Sequence, residues 1–390
     1  MQTSDVLVFS IFLIFAGAAL LATLALYARQ SLLVAYIVLG ILIGPWGLRL
    51  ISEPALIQDI AHVGIIFLLF LLGLNLHPQK LLLMLREATL VTVISSALFA
   101  TIGFGVAFAF GYTPLESLVV GAASMFSSTI IGLKLLPSTA LHHQHTGEII
   151  ISVLLLQDLI AILILLLLRV LGKGNLPATE IGLLVLSLPG LVLFAFLAER
   201  YLLIRLVRRY DEIQEYVFLV AIGWCLGLAE LAAAMGLSQE IGAFVAGVAL
   251  ATSPIARYIA ESLKPLRDFF LVIFFFAVGA GFQLPALGSV AIPATVLALL
   301  VVLLKPLIFK ILLIWEGEKP ALAAEVGTRL GQTSEFSLLI AYMAMAYRVV
   351  RPEVSYLIQL TVLLTFLVSS YWVGMRYPTP IANSARLRRD

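Results

Sequence analysis

Charge is what this 390-residue chain has least of. Charged residues make up 12% of it and hydrophobic residues 62%, whereas a soluble domain carries about 25% charged residues. That composition excludes a soluble globular protein. Cysteine is limited to Cys225, so an intrachain disulfide is excluded. No cysteine and histidine cluster has metal-site spacing, and the glycine-rich strand-to-helix signature of a nucleotide site is missing. A net charge of +2 offers nucleic acid no basic footprint. The N-terminus has no basic segment ahead of its first apolar run, which therefore reads as a membrane span and not as a cleaved signal peptide.

What the chain does have is apolar length. Stretches approaching or reaching the roughly 20 residues that cross a bilayer recur thirteen times. They cover 6–27, 32–50, 56–76, 88–111, 115–136, 147–171, 179–204, 215–235, 238–254, 266–285, 290–314, 320–347 and 353–375. Turn residues and charges separate them, among them Ser52-Glu53-Pro54, His77-Pro78, Gly111-Tyr112-Thr113-Pro114, Lys319-Pro320 and Arg351-Pro352. The expected fold is an all-α polytopic membrane protein of about 13 transmembrane helices. Of the 24 lysines and arginines, 16 fall on one side of that topology and 5 on the other, with Lys305, Lys310 and Arg329 inside or at the edge of spans. By the positive-inside rule the rich side is cytoplasmic, which puts the N-terminus outside and the C-terminus inside.

Two spans carry residues that loosen a helix. The fifth contains Ser124-Met-Phe-Ser127-Ser128-Thr129, and the twelfth contains Gly327-Thr-Arg-Leu-Gly331-Gln332-Thr333-Ser334-Glu335. Unwound backbone survives at membrane depth only where it lines a cavity or is buried in protein. Paired interruptions in corresponding halves point to an inverted-repeat transporter with a midplane site between two crossed discontinuous helices. The plainer alternative is that serine and threonine merely help helices pack.

The sixth span places one ionisable side chain, Asp158, near the middle of an apolar run. A carboxylate at that depth costs about 3 kcal/mol or more and marks a proton or cation path by default. Removal from water favours the protonated form of a carboxyl. Such a group binds a proton or a monovalent cation, but not both, which is the minimum machinery of cation/proton exchange; a structural ion pair is the bland alternative. Gln157 offers an amide oxygen to a cation or a hydrogen bond to a broken helix. Ser127, Ser128 and Thr129 offer hydroxyl and carbonyl oxygens. Lys305 has three open roles: pairing with Asp158, reaching to the interface, or stabilising broken-helix carbonyl ends. Gln332, Ser334 and Glu335 belong to the second interruption, where Glu335 has Arg329 and Lys305 as candidate partners. His142, His143 and His145 stand together before the Asp158 helix and read as a solvated loop or a pH sensor.

These motifs resemble the monovalent cation:proton antiporter-2 family, and within it the membrane part of Kef-type potassium efflux systems. The resemblance runs through Gly40-Ile-Leu-Ile-Gly44-Pro45, Gly64 to Leu74, Ser127-Ser128-Thr129 and Leu154-Leu-Leu-Gln157-Asp158. It continues with Gly236-Leu-Ser238 leading into Gly242-Ala243-Phe244, then Phe274-Phe275-Phe276-Ala-Val-Gly279, Gly331-Gln332 with Glu335-Phe336, and Arg376-Tyr-Pro-Thr-Pro-Ile381. It implies a sodium/proton antiporter-like fold in a homodimer in the bacterial cytoplasmic membrane. Residues 1–87 and 211–288 would form the dimerisation helices, 88–175 and 289–378 a mobile ion-carrying core, 176–210 a linker helix, and 379–390 a cytoplasmic tail. It maps the cation-binding acid onto Asp158 and the core lysine onto Lys305, with elevator-type alternating access and no covalent cofactor. The Gln-Asp pair suggests potassium as cargo, with sodium second and a gated potassium channel as a further alternative. A sodium-coupled solute carrier would need more convergent polar groups, and a sensor leaves the interruptions unexplained. Two positions depart from the family pattern, Asn75 and His62, both where the family carries an acid. Kef-type chains also continue into a cytosolic nucleotide-binding regulatory domain, a partner expected here only if it lies beyond Asp390.

Overall fold

A computed structural model of the chain carries helix in every one of the thirteen expected spans. It describes all residues except 1–2, 29, 52–53, 76–77, 129–144, 173–177, 211–212, 254 and 378–390. No strand occurs among the described residues. The helices are α1 (Thr3–Tyr27), α2 (Leu32–Ile43), α3 (Pro54–Asn75), α4 (Pro78–Ala109), α5 (Pro114–Ser124) and α6 (His145–Gly172). Then come α7 (Ala178–Ala198), α8 (Ile204–Arg209), α9 (Gln214–Ala234), α10 (Gln239–Ala251), α11 (Ala256–Ser262) and α12 (Lys264–Ala280). The chain closes with α13 (Leu287–Trp315), α14 (Pro320–Arg329), α15 (Glu335–Ala346) and α16 (Pro352–Arg376). Six of the described helices are long and apolar enough to cross a membrane by length and composition.

Five of the hinges read from the sequence are helix starts. Pro54, Pro78, Pro114, Pro320 and Pro352 each occupy the first position of a helix, where the missing N–H is one the helix could not use and the fixed φ suits the first turn. Proline also ends α2: the helix stops at Ile43, before Gly44-Pro45, although apolar residues continue. The fifth and twelfth spans break where expected, α5 ending at Ser124 and α14 at Arg329, with α15 restarting at Glu335. Ser334 caps the restart, its hydroxyl accepting from the Phe336 N–H at 3.1 Å.

The chain divides into two compact units. The second, Glu53–Leu83 with Arg169–Ala277, is built around the crossing of α3 and α10. There a Cβ on Gly247 would stand 2.1 Å from the Phe70 carbonyl oxygen, and one on Gly73 would stand 2.4 Å from that of Phe244. The two backbones touch because neither residue has a side chain, which is the small-residue packing used by membrane helices. On the same pair of helices His62 Nε2 meets Glu240 Oε1 at 2.9 Å. Glu240 is buried in the first turn of α10, so His62 has its acid on the neighbouring helix.

The first unit, Met1–Ser52, Met84–Leu168 and Val278–Asp390, holds α1, α2, α4 to α6 and α13 to α16. It contains the same backbone plan twice. Gly111 and Gly317 both adopt left-handed φ, at 84° and 98°, as helix-ending glycines do. They stand 206 residues apart, the same interval that separates Pro114 from Pro320 at the starts of α5 and α14. The repeat therefore runs from α4 to α6 and from α13 to α16, each copy with its middle span interrupted.

Candidate functional site

The site begins on the buried stripe of α6. Ile150, Val153, Leu154, Gln157, Asp158, Ala161, Leu165 and Leu168 recur at three- and four-residue intervals and turn inward together. Ile150, Val153 and Leu154 pack into an apolar cluster with Phe99, Phe309, Val326 and Leu330. The stripe then becomes polar. Gln157 and Asp158 are 1% and 2% exposed, so both face inward although adjacent helical residues diverge by about 100°.

Gln157 takes the second of its two open roles. Its Oε1 accepts from the Ser127 N–H at 2.9 Å, and its Nε2 donates to the Met125 carbonyl at 3.1 Å. One amide thereby serves a donor and an acceptor that the break after α5 leaves without helical partners. Ser127 turns its hydroxyl to the Leu330 carbonyl at 2.8 Å, and the Ser337 hydroxyl donates to the Ala123 carbonyl. The two interruptions therefore meet, each closing hydrogen bonds the other leaves open. Ser128 is fully buried beside them, and Thr129 lies outside the described residues. Replacing Gln157 by leucine orphans both backbone groups, at about 1–3 kcal/mol for each. Gln157→Leu is expected to lower the thermal unfolding midpoint in detergent, with Gln157→Glu, which keeps the acceptor, between it and the wild type.

Lys305 takes the third of its roles. Its ammonium donates to the Phe126 carbonyl at 2.6 Å and to the Gln332 carbonyl at 3.2 Å, one from each interruption. Both carbonyls lie just beyond helix C-termini, those of α5 and α14, where the partial charge is negative and a cation is favoured. The face of Phe99 lies 4.8 Å from the same nitrogen, within reach of a cation–π contact. Phe126 and Gln332 are again 206 residues apart, and so are Phe99 and Lys305. A residue touches its own repeat mate only where the axis relating the repeats passes, so Lys305 marks that axis. Helix α14 comes close to it because Gly327 and Gly331 lie against Pro306: added Cβ atoms would stand 2.5 Å from its carbonyl oxygen and 2.8 Å from its ring.

The second interruption is held by α16. Thr365 Oγ1 lies 2.6 Å from Thr333 Oγ1 and accepts from the Thr333 N–H at 3.3 Å, as Gln157 does from Ser127. Ser369 donates to Gln332 Oε1 at 2.9 Å. Gln332, Ser334, Thr365 and Ser369 are all buried, and Glu335 is half-buried at the start of α15. Arg329 directs Nε and Nη2 to Glu325 Oε1, at 2.9 and 2.8 Å, one turn back on its own helix. Thr365 and Ser369 escaped sequence reading, although Thr361, Thr365 and Ser369 repeat every four residues on one buried face. At the start of α16, Arg351 makes a bidentate pair with Glu116, at 2.7 and 2.9 Å. That carboxylate raises the Arg351 guanidinium above its already high pKa, chiefly through the hydrogen bond.

The chain matches the family of transmembrane sodium/hydrogen exchangers over residues 11–375. It is 31% identical over 326 residues to K(+) efflux antiporter 4 of Arabidopsis thaliana and 30% identical over 323 residues to K(+) efflux antiporter 6 of the same plant. Each match covers 80% of this chain and 54% of the relative, so the chain spans about half the length of these curated relatives. Among solved structures, the sodium proton antiporter MjNhaP1 from Methanocaldococcus jannaschii at pH 8 superposes with a TM-score of 0.70 at 18% identity. That match covers 95% of this chain and all of the other, and the electron-microscopy map of MjNhaP1 gives a TM-score of 0.66 at 16% identity. The sodium proton antiporter fold is thus shared, and with a family match across nearly its whole length the chain belongs to the sodium/hydrogen exchangers.

Proposed function

We propose that the protein is a secondary antiporter that exchanges a monovalent cation for a proton, with potassium as its cargo. The observation that carries the reading is Asp158, a carboxyl 2% exposed in the middle of an apolar span, beside an amide that holds an unwound segment. A cation and a proton compete for that carboxyl. In this reading Ser127, Ser128 and Thr129 are candidate sources of further cation-binding oxygens, and Gln332, Ser334 and Glu335 are the candidates from the second interruption. A single carboxyl gives one-for-one exchange, and apart from the O–H bond made and broken as Asp158 takes and releases its proton, no covalent chemistry is required. Potassium is supported by relatives named as K(+) efflux antiporters, and sodium is the second reading, supported by the exchanger family itself.

In this reading residues 88–175 and 289–378 form the ion-carrying core, which moves as an elevator between two faces of the membrane. Residues 1–87 and 211–288 form the static part and the homodimer contact, with 176–210 linking the two. The membrane is the bacterial cytoplasmic one, with the N-terminus outside, and a cytosolic nucleotide-binding domain is a candidate partner. The test is proteoliposomes with an imposed proton gradient and a pH-sensitive dye. Dequenching on addition of potassium at concentrations where sodium gives none is the expected result. A response to sodium alone keeps the mechanism and reassigns the cargo. A cation current that persists without a proton gradient replaces the antiporter with a channel.

A further inference from the structure

Two ion pairs occupy corresponding ends of the repeated unit, with their bases in register and their acids four residues out of it. One is Arg351 with Glu116. The other joins His145 Nε2 to Glu318 Oε1 at 2.7 Å. In each pair the acid stands at the turn leading into an interrupted span: Glu116 in the first turn of α5, Glu318 just before α14. The base stands at the start of the helix that follows the other repeat's interrupted span: Arg351 before α16, His145 on α6. His145 and Arg351 are 206 residues apart, the interval of the repeat. The chain thus clasps both ends of the interlocked repeats by the same device. One clasp uses a cation that stays charged at any physiological pH, and the other uses a cation that titrates.

We propose that His145 is a positioning residue for the Asp158 helix, and that its pair with Glu318 is a proton-sensitive latch whose counterpart in the other repeat, Arg351 with Glu116, is permanent. The consequence for transport rests on the antiport reading, whereas the latch itself does not. Among the described residues, the groups facing His145 are Glu318, from the turn before α14, and Glu148 of its own helix, whose Oε2 lies 3.5 Å from Nδ1. An imidazole titrates near pH 6.5. Below its titration His145 is a cation that meets both carboxylates. Above it the charge is gone and one neutral hydrogen bond remains. The latch is therefore tight in acid and loose in alkali, which makes the anchoring of α6 follow the pH at that face. The His145 side chain is 55% exposed and that of Glu318 23%, so the shift is about two- to fivefold in a conformational equilibrium, the range of a solvated pair. Such a latch trims a transport cycle and does not switch it off.

The test is hydrogen exchange of the first turns of α6 and α16 in nanodiscs, on either side of the imidazole titration at about pH 6 and about pH 8. Rates are corrected for the chemical pH dependence of exchange. In the wild type, α6 protection falls about two- to fivefold on going to the alkaline side, while α16 protection stays level. His145→Arg is expected to hold α6 protection constant, and Arg351→His to give α16 the pH dependence it lacked. Wild-type pH dependence persisting in His145→Arg, or none arising in Arg351→His, overturns the latch. Potassium/proton exchange is measured on the same proteins. Its absence from the wild type, with protection changing as expected, overturns the antiport reading and supports the latch.

Discussion

Asp158→Asn is expected to reduce potassium-driven dequenching to that of empty vesicles. Asparagine keeps the shape of the side chain and its capacity for hydrogen bonding, but it carries neither a negative charge nor a transferable proton. A unit charge about 4 Å from a cation, at an effective dielectric of about 20, contributes about 4 kcal/mol, or about three decades of affinity. The proton loses its binding group outright, so both legs of the exchange stop together. Asp158→Glu, which retains charge and proton on a side chain one methylene longer, is expected to keep slow exchange with altered cation preference. Exchange in Asp158→Asn at the wild-type rate would show that the shared site lies elsewhere. Because asparagine keeps the shape and hydrogen-bonding capacity of Asp158, and Gln157 holds the Ser127 N–H, Asp158→Asn should also leave the unfolding midpoint close to the wild type. That separates loss of the carrier from loss of the fold.

How much of this was legible in the sequence follows from which atoms do the work. Apolar length, hinge prolines and mid-span glycines act through properties of their own residue types, and the structure places helices and breaks at them. Pro114 and Pro320 start helices, and Gly73 and Gly247 sit where two backbones touch. Asp158 stood out because a carboxyl in an apolar span has few neutral explanations. The partners of Lys305 did not, because they are the carbonyls of Phe126 and Gln332, and every residue carries a carbonyl. Thr365 and Ser369 were hidden for a related reason: hydroxyls pack harmlessly in membrane helices, and only the chain path brings these two to Thr333 and Gln332. The Arg351 and Glu116 pair joins positions 235 residues apart, beyond any local pattern. The repeat itself was expected from the two interruptions. Its constant interval emerged only when two left-handed glycines, two helix-starting prolines and two lysine-bound carbonyls fell into register.

Lys305→Met is expected to be strongly destabilising, on the scale of Gln157→Leu. Methionine fills nearly the same volume, so no large cavity opens, and the effect isolates the ammonium. Two buried carbonyls lose their donor at about 1–3 kcal/mol each, and two helix C-termini lose the charge that offsets their dipoles. Against this stands relief from burying an ammonium, worth several kcal/mol when nothing compensates it. Here two carbonyl oxygens and the face of Phe99 compensate it already, and the nitrogen belongs to a side chain 1% exposed that water does not reach. The orphaned carbonyls therefore win, and a net loss of about 2–4 kcal/mol follows. Lys305→Arg, which retains charge and donors, should recover most of the unfolding midpoint in detergent while crowding Phe99. Phe99→Leu should lose only the ring contact, a small fraction of the lysine's effect. An unfolding midpoint in Lys305→Met equal to the wild type would show that the interruptions are held by Gln157, Ser127 and Thr365 alone. The interruptions would then be self-supporting, and the lysine would be free to act on the ion.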